Sequence, residues 1–103
     1  MDELEFYRDG DGAACARGRD QRVATFLETD LQESVVVTRE LIKLLDNGSV
    51  RGEFNGNAHS VTISPVLATI EANFDDNAAD RRLPREELLH NVRGWLQFIE
   101  SKS

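Results

Sequence analysis

The chain has 103 residues, with 19 acidic against 12 basic side chains and a formal net charge of -7. That balance repels phosphate backbones and anionic bilayers at long range, which argues against a general nucleic-acid or membrane-surface binder. The length suits one domain that buries roughly 65% of its unfolded surface around a single core. Cys15 is the lone cysteine, so no internal disulfide is expected, and the start Met1, Asp2, Glu3 lacks the basic and apolar regions of a signal peptide. A cytoplasmic protein is the simple expectation. No stretch approaches the ~18 apolar residues of a membrane span.

In chain order, Leu4, Phe6 and Arg8 alternate with Glu5 and Tyr7, the period of a strand with one apolar face. The two Asp-Gly pairs of 9–12 predict a tight turn, because Gly accepts positive φ. Residues 13–17 return as a second strand whose small side chains, Ala13 to Ala16, allow close approach by a neighbour. The run 22–27 fits a third short strand, or a short helical lead-in, since Val23, Phe26 and Leu27 also share one helical face.

The strongest pattern spans 30–48. Asp30 followed at the third helical position by Glu33 has capping-box spacing and predicts the helix start. At about 100° per residue, Leu31, Val35, Val37, Thr38, Leu41, Ile42, Leu44 and Leu45 share an arc of about 180°. The helical period should override the strand propensity of Val35, Val36 and Val37. Asn47 and Gly48 are the expected stop.

Residues 50–54 form a short strand, and Asn55-Gly56 signals a hairpin into 58–64. Pro65 marks a reversal. Val66, Ala68, Ile70, Ala72 and Phe74 then alternate with Leu67, Thr69, Glu71 and Asn73 as a second long strand, and 75–82 is expected to be a loop. Pro84 is placed as the first residue of a closing helix, with Glu86 and Glu87 in its first turn. Leu88, Leu89, Val92, Trp95, Leu96, Phe98 and Ile99 form its apolar face. These elements predict a two-layer α+β domain: an antiparallel sheet of about five or six strands, with two amphipathic helices on one face.

The opening Glu5, Phe6, Tyr7, Arg8, Asp9 and Gly12 reads E-F-x-R-D-x-x-G. With the order hairpin, helix, strands and a helix ending in Trp95, Phe98 and Ile99, it resembles the YacL-like family of uncharacterised bacterial proteins. The resemblance implies a bacterial, cytosolic setting and carries over no activity, ligand or catalytic residue.

Chemistry-bearing residues are few. Cys15 is the only thiol, with His59 and His90 as candidate bases, but no flanking motif marks a nucleophile and a packed Cys is the plainer reading. Neither Asp9 with Asp11 nor Asp75, Asp76 and Asp80 has calcium-loop spacing. No catalytic residue, cofactor or metal is therefore expected. The local exception to the acidic balance is Arg17, Arg19 and Arg22, with Arg8 near them across the hairpin, a candidate contact for an anion or a partner. Arg81, Arg82 and Arg85 form a weaker second cluster.

The expected function is a small, acidic, noncatalytic interaction or regulatory module, with a protein partner or a homodimer, using backbone groups at a sheet edge. The alternative is a binder of a small anionic ligand or RNA through the arginine cluster.

Overall fold

The computed structural model describes residues 4–46, 51–74 and 79–101. In chain order the elements are β1 (Glu5–Arg8), β2 (Ala14–Arg17), α1 (Gln21–Phe26), a π turn (Leu27–Leu31), α2 (Val35–Asp46), β3 (Gly52–Asn55), β4 (His59–Ile63), β5 (Leu67–Ala72), β6 (Arg81–Pro84) and α3 (Arg85–Glu100). The α+β class is as the periodicities predict, with α2 and α3 as its two long amphipathic helices.

Among the described residues all strand pairs are antiparallel, but the six strands form two sheets: β1-β2, and β3-β4-β5-β6. Register sorts the side chains of the larger sheet by face. Ile63 lies opposite Ala68, and Ala68 opposite Leu83, all three buried. The neighbouring row, Glu53 to Thr62 to Thr69 to Arg82, belongs to the other face. One face is therefore core and the other polar, as alternation requires. α2 and α3 pack on each other and reach the sheet at β3, β5 and β6. Leu41, Leu45, Val61, Ile70, Leu88, Val92 and Trp95 are fully buried there, and burying each large aliphatic side chain contributes about 1.5–3 kcal/mol before chain entropy is counted.

A single sheet does not form, for a local reason. The amides of Ala14 and Ala16 on β2 are taken by carboxylates, Glu33 Oε2 at 3.4 Å and Glu28 Oε2 at 2.7 Å. That edge is occupied by side chains and does not pair with another strand. The hairpin instead lies on α3: the Phe6 ring meets Trp95 edge-on at 5.4 Å and Phe98 at 5.9 Å. A Cβ on Gly94 would come within 3.1 Å of the same ring, a contact tight enough that the ring would have to shift by a few tenths of an ångström.

The predicted helix start is also corrected. α2 begins at Val35, where Ser34 Oγ accepts the Val37 amide at 3.2 Å and the Ser34 carbonyl accepts the Thr38 amide. Asp30 and Leu31 belong to the π turn, closed by the Gln32 amide on the Leu27 carbonyl at 2.8 Å. Gln32, at φ 52° and ψ -135°, breaks the helical path before α2 can propagate backwards. Glu33 reaches away to Arg8 rather than folding back as a capping box. Val35, Val36 and Val37 are helical as the longer period predicts.

Residues 22–27 take the helical alternative, since Asp20 caps α1 by accepting the Val23 amide on its side chain. The loop expected over 75–82 is corrected at its end, where Arg81 and Arg82 pair with Ile70 and Thr69 in β6. Pro84 precedes the first residue of α3 rather than being that residue. Val66 and Phe74 lie just outside β5 and are exposed. The predicted stop at Asn47 and Gly48, and Asp75 and Asp76, fall outside the described residues. Among the described residues, no helix is long and apolar enough to cross a membrane.

Candidate functional site

Asp30 is the most heavily used polar side chain of the core. Its Oδ1 accepts the amides of Ala58 at 2.7 Å and His59 at 3.1 Å. Its Oδ2 lies 2.7 Å from His59 Nδ1 and accepts the Thr29 hydroxyl at 2.9 Å. The Asp30 side chain is fully buried and that of His59 nearly so. Phe26 stands edge-on to the His59 ring at 6.1 Å and to Phe54 at 5.9 Å. A carboxylate that orients an imidazole is also how hydrolases set up a base. Here both oxygens are occupied by turn amides, the ring and a hydroxyl, which makes the pair a structural clasp.

The clasp shapes the β3-β4 hairpin. The Gly56 amide bonds the His59 carbonyl at 2.9 Å, so the turn centres on Asn57 and Ala58, two residues beyond the Asn55-Gly56 signal. A Cβ on Gly56 would collide with Asp30 Oδ1, so the lack of one is why the backbone can come so close. Sequence spacing alone does not link Asp30 with His59, because the contact spans 29 positions and depends on tertiary folding.

Beside the clasp a groove of about 340 Å³ opens between α2 and the end of β3, lined by Val36, Val37, Glu40, Phe54, Asn55, Gly56 and Asn57 over Asp30. α2 runs along β3: a Cβ on Gly52 would touch Leu44 at 3.2 Å, and Phe54 and Asn55 share the groove with Val36 and Val37. β3 is the outer strand of its sheet, with no strand beyond it among the described residues. Val36 is 72% exposed although it is apolar.

The four candidate arginines are separated. Register sets Arg8 opposite Ala14 and Arg17 opposite Glu5, at the two ends of the β1-β2 hairpin. Arg8 donates to Glu33 at 2.8 Å and to the Gly12 carbonyl at 2.9 Å, with its guanidinium 5.3 Å from the Phe98 ring centre. Arg17 pairs with Glu5 at 2.8 Å and lies over Tyr7. Only Arg19 and Arg22 stay together, in a cleft of about 360 Å³ that they share with Asp20, Gln21, Arg81 and Glu87. The second arginine group also splits. Arg81 goes to Asp20 at 2.8 Å, Arg85 to the carbonyls of Leu45 and Pro65, and Arg82 to the exposed row of the sheet.

Cys15 sits on β2 opposite Tyr7, while His59 is on the other sheet and committed to Asp30. Desolvation, followed by the charges of Asp9 and Glu28, pushes the thiol above its ordinary range and keeps it protonated. No group of three or more His, Cys, Asp or Glu side chains gathers into a metal site among the described residues. No protein-family model, curated protein or solved structure matches this chain.

Proposed function

We propose that this chain is a noncatalytic cytosolic interaction module that takes an extended segment of a partner protein along the outer edge of β3. The observation that carries the reading is the pairing of an outer strand with an apolar groove at its side. A strand added to β3 would gain backbone hydrogen bonds without a sequence motif. Its alternate side chains would fall toward Val36, Val37 and Phe54, where apolar residues are favoured. Glu40 in the groove, and the net charge of -7, favour a basic residue within or beside that segment.

The test is capture of partners from lysate of the source organism, with nuclease present, by wild type and by Val36→Asp. Wild type is expected to enrich a stoichiometric protein that Val36→Asp fails to hold. Equal capture by both would remove the groove from the account. Light scattering on the purified chain separates a heterologous partner from a second copy.

A further inference from the structure

At the other edge of the sheet, β6 contributes Arg81 to the cleft that holds Arg19 and Arg22. Three guanidinium groups meet two carboxylates there, a local reversal in an acidic chain. The contacts divide the charges. Arg81 Nη2 and Nε lie 2.8 Å and 3.0 Å from Asp20 Oδ2, and Asp20 Oδ1 accepts the Val23 amide. Asp20 and Arg81 thus satisfy each other and hold the wall of the cleft. Arg22 differs from them, since its Nη1 is buried without a hydrogen-bond partner among the described residues. A guanidinium that has lost water at one nitrogen and gained no acceptor there is unfavourable, and an anion against its cleft-facing part offsets that cost through the delocalised charge.

We infer that this cleft is an oxyanion site, in which Arg22, assisted by Arg19, forks onto the phosphate or carboxylate group of a small ligand. The planar guanidinium offers paired donors that match either group, and the partnered Asp20 and Arg81 keep the wall from collapsing onto it. A cleft of about 360 Å³ has room for a small metabolite. The site is separate from the β3 groove and stands whether or not that groove binds a partner.

The experiment is an amide-resolved NMR titration of the full chain with inorganic phosphate in one arm and acetate in the other. Saturable shifts are expected around Arg19 to Val23 and Arg81 to Leu83, and the tighter arm tells which oxyanion is preferred. Arg22→Gln is expected to weaken binding about tenfold or more, and Arg17→Gln, which lies outside the cleft, to leave it unchanged. Should Arg22→Gln lose its dispersed spectrum, Arg19→Gln at an exposed position is read instead and is expected to weaken binding in the same direction. Shifts that fail to saturate with both anions, or that persist at full strength in the folded variants, overturn the assignment.

Discussion

The Nδ1 of His59 lies 2.7 Å from Oδ2 of Asp30, joining the π turn before α2 to the tip of the β3-β4 hairpin. This contact sets where β3 ends relative to α2, and so the floor of the groove between them. Removing the carboxylate would leave two turn amides and a buried ring without their acceptor.

Asp30→Ala is therefore expected to cost about 3 kcal/mol in urea unfolding. Gly56→Ala is expected to destabilise as well, since the new methyl would meet Asp30 Oδ1. The two losses should not add. With Asp30 shortened, the collisions with its Oδ1 and Cγ are removed and only the contact with its Cβ at 2.9 Å stays, so the double variant falls short of the sum of the singles. Strict additivity would mean that the collision is relieved elsewhere.

Trp95 and Gln32 form a second link of this type, with the indole N–H donating to the Gln32 carbonyl at 2.8 Å. Trp95→Phe keeps an aromatic ring and loses that donor, an expected cost of about 1–3 kcal/mol. Gln32→Gly is expected to act oppositely. The backbone at φ 52° and ψ -135° suits Gly far better than Gln, and a gain of about 1 kcal/mol should appear as a higher melting temperature. A lower one would show that the Gln32 side-chain bond to the Thr29 carbonyl outweighs the strain.

Acid should loosen the β1-β2 hairpin. The amides of Ala13 and Asp11 hold the Asp9 carboxyl below its ordinary range, and hydrogen bonding and charge from Arg17 do the same for Glu5. A carboxyl whose value is lower in the folded state stabilises the fold above its unfolded value and loses that contribution as pH falls toward the folded one. Stability is thus expected to hold at neutrality and to decline below about pH 4.5, the ordinary value for Glu. Asp9→Asn keeps an oxygen for the turn amides and removes the titration, so its melting temperature should fall less steeply with acid. An unchanged slope would place the proton uptake elsewhere.

Much of the fold is legible in the sequence because it rests on local periodicity. The apolar arcs of α2 and α3, and the alternation through β4 and β5, predict which faces are buried. The helix boundary was not legible, because Asp30 and Ser34 are both good caps. Burial decided between them by drawing Asp30 toward His59 and leaving Ser34 to cap α2. The split into two sheets depends on Glu28 and Glu33 reaching β2, contacts that carry no spacing signal. The arginine candidates were legible as a cluster in sequence but not in space. In a strand pair, residues nine apart such as Arg8 and Arg17 end at opposite ends of the hairpin, and only the arginines around the start of α1 remain neighbours.

Val36 gives the interaction reading a mild probe. It is exposed on α2, so Val36→Asp should change unfolding free energy by no more than about 0.5 kcal/mol. A loss of partner capture in that variant would then report on the surface rather than on the fold. A large loss of stability would show instead that Val36 supports the packing of α2.

The most direct measurement is amide hydrogen exchange of the chain alone and with its captured partner segment, resolved along β3. Strand addition predicts slower exchange at the outward amides of Glu53 and Asn55, with those of Gly52 and Phe54, which face β4, and those of β4 and β5 changed little. Unaltered exchange in β3, with new protection elsewhere on the surface, would contradict binding at this edge.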